Sequence, residues 1–193
     1  MWDALAGPFL AVAGLLVVAG LPKVLDPLPL VRALRSAGFP LRPALGSALV
    51  RAFAVAEVAI GTWAIIAPGR LNAALVAAAY LVFTLFVARV LTRGGVLGSC
   101  GCFGKPDTPA TRTHLGLTAV AALVAAALAT DPPSAVWSAA GSAATSGGPT
   151  GPALVTTVGL AVLIAGLAWM VMAVLPTTTA AAVRSANPTR TKG

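Results

Sequence analysis

Long apolar runs, broken by short clusters of proline, glycine and arginine, organise this chain. The runs predict transmembrane helices over about Ala4–Leu21, Ala44–Ala67, Leu71–Leu91, Leu115–Ala129 and Ala153–Leu175. Crossing about 30 Å of hydrocarbon takes about 20 helical residues, and the fourth run reaches that length once the turn Thr111–His114 is added. Asp26–Ala37 has another pattern. Leu28, Leu30, Val31 and Leu34 fall near helical spacing, with Arg32 and Arg35 opposite. This predicts a short amphipathic helix lying on the inner membrane surface, ended by Pro40 and Pro43. Ala67-Pro68-Gly69-Arg70 reads as a tight turn, which makes spans two and three antiparallel neighbours. Ser138–Gly151 reads as a Gly/Ser linker. The expected organisation is a four-span unit over residues 1–130, an outer linker over 131–152, an appended fifth span over 153–175 and a polar basic tail over 176–193.

Composition supports the same class. Of 193 residues, 58% are hydrophobic and 9% charged, against about 25% charged in soluble domains. The mean hydropathy is +0.92. Such a surface would aggregate in water, and such hydrophobicity excludes disorder. The fold class is therefore all-α, a polytopic helical bundle in the lipid bilayer. Met1-Trp2-Asp3 lacks the basic start of a cleaved signal, so the first run is expected to be retained.

The net charge of +8 orients the bundle. Lys23, Arg32, Arg35, Arg42 and Arg51 cluster around the first connection. Arg89, Arg93, Lys105 and Arg112 surround the third, and Arg184, Arg190 and Lys192 lie in the tail. Basic loops stay in the cytoplasm. The chain is expected to sit in a bacterial plasma membrane with its N-terminus outside and its C-terminus inside. No dense basic cluster with interleaved aromatics exists, so nucleic acid is not an expected partner.

The two cysteines stand two apart, in Ser99-Cys100-Gly101-Cys102-Phe103-Gly104. Glycine between them permits the unusual backbone angles that a disulfide across so short a loop requires. Such a bond is strained and readily exchanged, and it restrains little chain entropy. Electron transfer therefore suits it better than stapling. Lys105 and Arg112 nearby favour the thiolate. Two other readings stay open. Cys100 and Cys102 with His114 form a ligand set for Cu(I) or Zn, or the cysteines are small loop residues without redox function. No cofactor is fixed by these residues.

Glu57 lies in the middle of span two, where a carboxylate is costly unless paired or solvated. It is a candidate for proton or quinone handling, or else a structural partner of Arg51 or Arg89. Arg51 lies some 9 Å shallower along the same helix. Lys23 ends the first span and either snorkels to the headgroups or lines a common site with the cysteines. His114, the only histidine, is a candidate proton carrier for a thiol or a plain interfacial residue. Gly14, Gly20, Gly61, Gly159 and Gly166 read as ordinary close packing between helices.

Three of these segments, in order, resemble the methylamine utilisation protein MauE family, among the wider DoxX-like membrane proteins. They are Ala19–Pro27 at the end of span one, Ala56–Gly61 around Glu57, and Cys100-Gly101-Cys102-Phe103-Gly104 after span three. The resemblance covers about residues 1–130. It implies a four-span bundle linked to redox maturation of extracytoplasmic proteins in methylamine metabolism, alongside a thioredoxin-like partner. It further implies that Cys100 and Cys102 are a redox pair and that Glu57 and Lys23 are matching polar positions. The fifth run lies outside the family pattern. So does Arg112-Thr113-His114, where members commonly carry an Arg-Asn pair.

The function expected on this reading is a membrane thiol–disulfide oxidoreductase component. The alternative is a non-catalytic scaffold or metal-handling assembly factor. Charge bias puts the cysteine loop inside, whereas extracytoplasmic maturation needs an electrical connection to the outside. Two cysteines on one loop do not relay electrons across about 30 Å of bilayer. The loop must dip into the bundle, a quinone or haem must complete the path, or the direction of transfer must differ.

Overall fold

The computed structural model describes residues 2–40, 42–92, 111–130 and 152–171. Among the described residues all regular structure is helical. The elements are α1 (Trp2–Leu25), α2 (Leu28–Ser36), α3 (Pro43–Ile66), α4 (Arg70–Thr92), α5 (Arg112–Thr130) and α6 (Pro152–Trp169). Four of them are long and apolar enough to cross a membrane: Leu5–Leu25, Pro43–Ile66, Arg70–Thr92 and Arg112–Thr130. The apolar stretch of α6, Val155–Trp169, is shorter than that. The rest of the fifth span expected there lies beyond Val171, outside the described residues.

Helix ends follow local chemistry. α1, expected over about Ala4–Leu21 with Lys23 at its end, runs through Pro22 to Leu25. The Pro22 carbonyl still accepts the Asp26 N–H, at 2.8 Å, and a bundle tolerates an internal proline where neighbours cover the freed carbonyl. The Asp26 side chain then accepts the Leu28 N–H at 3.1 Å, an Asx turn that opens α2. α2 ends before the prolines expected to end it. Gly38 takes φ 87°, its N–H bonds the Arg35 carbonyl, and the Phe39 N–H bonds the Leu34 carbonyl. That is a Schellman stop, in which glycine avoids the Cβ penalty of a left-handed residue. The α3–α4 turn is held by Asn72, whose Oδ1 accepts the Gly69 N–H at 2.7 Å and whose Nδ2 donates to the Ala67 carbonyl. Thr111 caps α5 by accepting the His114 N–H.

α1 is central. It packs most extensively against α3 and also touches α5 and α6, while α4 packs against α5. The main core joins Phe9, Ala13 and Leu16 of α1 to Val76 and Tyr80 of α4 and Ala125 and Leu128 of α5. The α1–α3 seam is unusually close. A Cβ on Gly61 would lie 2.7 Å from the Ala13 carbonyl oxygen, and one on Gly20 would lie 2.8 Å from Val58 Cγ2. Close packing was the reading given to these two glycines, and they are what lets the backbones meet. Gly14, Gly159 and Gly166 have open space instead.

Two expectations change. α2 was expected to lie on the membrane surface, but Leu30, Val31 and Ala33 are buried with Val50 of α3, and Ala37 is buried with Val87 and Val90 of α4. Most of the apolar face of α2 packs on protein, Leu28 staying about half exposed, and Arg32 and Arg35 are exposed. The last helix was expected to be an appendage. α6 is instead seated on α1, with Leu160 against Gly7 and Ala161 buried.

The bundle is also staggered. Lys23, near the end of α1, is level with Phe53 and Phe83, whose rings meet edge to face at 5.8 Å. Past that level α3 continues back to Pro43 and α4 on to Thr92, about 14 Å each at 1.5 Å per residue. α1 does not extend there, and α2 occupies only part of the space.

Candidate functional site

The stagger creates the site. Lys23 and Glu57 are both 1% exposed. Lys23 Nζ donates to Glu57 Oε1 at 3.1 Å and to Oε2 at 2.8 Å. The ammonium also sits 4.4 Å from the centre of the Phe83 ring, a cation–π contact that partly replaces lost water. Isolated charges in such surroundings cost many kcal/mol, whereas a hydrogen-bonded pair is tolerated. The expected partners of Glu57, Arg51 and Arg89, are therefore corrected. Arg51 is exposed, and Arg89 lies over the Phe39 ring at 5.5 Å. Lys23 does not snorkel; it turns into the bundle because Gly20, one turn earlier, brings α1 onto α3 beside Glu57.

Beside the pair opens a cavity of about 540 Å³, bounded by α2, α3, α4 and the end of α1. Its walls are nearly all apolar. Phe39, Phe53, Phe83 and Phe86 supply aromatic faces, Leu30, Leu34, Val50 and Val82 fill between them, and Lys23 and Arg89 are its two charged lining residues. That size and character match small-molecule pockets, which run about 300–1,000 Å³ with few polar groups.

His114 is buried at the start of α5, with Nδ1 2.7 Å from Thr111 Oγ1. Thr118 returns a hydrogen bond to the His114 carbonyl. Leu115 packs with Val87 and Val90, so this end of α5 lies beside the end of α4. Cys100, Cys102 and Lys105 lie outside the described residues, as does Arg93. Among the described residues no three His, Cys, Asp or Glu side chains come together as metal ligands.

The structure thus brings together Lys23 and Glu57, sets Arg89 at the rim of their pocket, and leaves Arg51 outside. It adds residues that sequence reasoning passed over. Tyr80, the only tyrosine, donates to the Val12 carbonyl at 2.8 Å and ties α4 to α1. Phe83 supplies the ring under Lys23. The chain's single tyrosine, set in an apolar span, was a readable signal for Tyr80. Phe83 carried none, because its partner comes from another helix.

The family model for methylamine utilisation protein MauE matches residues 2–131, which takes in α1 to α5 and stops short of α6. No curated protein and no solved structure gives a match.

Proposed function

Since the chain belongs to the methylamine utilisation protein MauE family and is a multi-pass membrane protein, we propose that it is the thiol–disulfide oxidoreductase component of a system that matures extracytoplasmic proteins. The observation that carries this reading is Cys100-Gly101-Cys102, the only cysteines of the chain, inside the segment the family model matches. In this reading the two thiols cycle between dithiol and disulfide. A thioredoxin-like protein exchanges with them through a mixed disulfide, in which a thiolate attacks one sulfur and releases the other. Lys105 and Arg112 favour the thiolate, and His114 relays its proton. Lys23 and Glu57 hold α1 against α3.

The same reading sets the chain in a bacterial plasma membrane, N-terminus outside and basic loops inside, with α6 and the residues after it forming a fifth span and a cytoplasmic tail. The test is to replace Cys100 and Cys102 singly with serine. Each variant is expected to lose function, and one of them to accumulate a mixed disulfide with its partner, seen as a reducible higher band in non-reducing electrophoresis. Full activity in both variants sinks the reading. Stoichiometric metal on the purified protein would favour the assembly-factor alternative. A membrane-impermeant maleimide is expected to leave both cysteines unlabelled in intact cells.

A further inference from the structure

The apolar cavity beside Lys23 has a shape and a chemistry that the thiol pair alone does not use. We propose that it binds the head ring of a lipid-soluble quinone, which serves as the electron acceptor for the thiols; this deepens the oxidoreductase reading and rests on it.

Four phenylalanines, Phe39, Phe53, Phe83 and Phe86, contribute to its walls. Aromatic walls favour a flat ring, because stacked and edge-on ring pairs gain beyond plain burial. A saturated acyl chain gains nothing from that arrangement. Lys23 also lines the cavity. Lys23 directs two hydrogen bonds to Glu57 and has three donors in all. The ammonium also sits 4.4 Å from the centre of the Phe83 ring, so a carbonyl oxygen would take its donor from the exposed Arg89, which lines the same cavity. Val82 and Leu49 line the same cavity yet are about half exposed, so the opening lies on the outer surface of the bundle. In a membrane an apolar tail enters there without crossing water. Arg89, which also lines the cavity, lies in the last turn of α4.

The electron balance asks for such a partner. As Cys100 and Cys102 form an S–S bond, two thiols lose two electrons and two protons. The quinone gains both pairs on its carbonyl oxygens and becomes the hydroquinone.

The experiment uses the full chain in lipid nanodiscs with radiolabelled decyl-benzoquinone and decyl-naphthoquinone as probes. Saturable binding of at least one is expected. Leu49→Trp and Val82→Trp fill the cavity from its open side, where folding tolerates bulk, and should each weaken binding at least tenfold. Leu163→Trp, on the exposed face of α6, should leave it unchanged. Helical circular dichroism identical to the parent shows that all three fold. Absence of saturable binding, or equal binding in all three variants, overturns the proposal. So does a tightly held phospholipid, seen by native mass spectrometry, that the quinones do not displace. The chain with Cys100→Ser and Cys102→Ser together should bind quinone as the parent does. Quinone binding without thiol-dependent hydroquinone formation would keep the pocket and sink the oxidoreductase reading. Thiol exchange with a partner in a chain that binds no quinone would do the reverse.

Discussion

The two sides of α3 differ in how they meet their neighbours. Toward α1 the seam is tight: Gly20 and Gly61 leave no room for a Cβ, and the Lys23–Glu57 pair is sealed inside. Toward α4 the partner end of the same helix stands apart, and large aromatic side chains line a cavity between them. Small residues bring backbones together until side chains are excluded. Phenylalanines hold backbones apart and leave space that their rings only partly fill. One helix therefore supports both a rigid joint and an open site, and the buried ion pair lies where the two meet.

The comparison is broken most severely by removing one member of the pair. Lys23→Ala or Glu57→Ala leaves an uncompensated buried charge and should cost about 3–5 kcal/mol, read as lost thermal stability and yield of the purified protein in detergent. Replacing both together by Met and Leu should recover most of that loss, because no lone charge remains. If the double replacement is as damaging as either single one, the pair is more than a joint.

Crowding the seam comes next. Gly61→Val drives methyl groups into the Ala13 carbonyl and should cost about 1–3 kcal/mol. Gly14→Val, where the added side chain meets open space, should be nearly neutral by the same melting assay. Equal effects at both positions would remove the distinction between a tight and a loose stretch of α1.

Tyr80→Phe removes one hydrogen bond to the Val12 carbonyl and should cost about 1 kcal/mol, with the cavity unaffected. The smallest effect is expected at Arg51. Because that side chain is exposed and apart from Glu57, Arg51→Gln should stay within about 0.5 kcal/mol. A double-mutant cycle should show coupling of Glu57 to Lys23 and none to Arg51. Coupling to Arg51 would restore the pairing that sequence depth alone suggested.

Much of the fold was readable from the pattern. The runs expected at Ala44–Ala67 and Leu71–Leu91 became Pro43–Ile66 and Arg70–Thr92, and the family was identifiable from three short segments. Misreadings came where a local rule met a neighbour. Pro40 and Pro43 looked like the end of α2, but Gly38 ends it first. The apolar face of α2 looked like a membrane-binding face, but α3 and α4 cover it. At the site, Lys23 and Glu57 both stand out in the sequence, but the arginine partners expected for Glu57 give way to Lys23. Depth was counted along the hairpin of spans two and three, and the true partner came from α1.

What the sequence determined by itself was four helices long and apolar enough to cross a membrane, beside a fifth expected span whose described part is shorter, and the existence of a buried carboxylate. Both follow from run length and composition against a slab of fixed thickness, which is a one-dimensional property. The tertiary structure alone decided which cation meets that carboxylate, across 34 residues of sequence separation. It alone decided that α1 stops short of α3 and α4. The pair depends on how closely two backbones approach, and the cavity on where one helix ends beside two others; neither distance is a function of position along the chain.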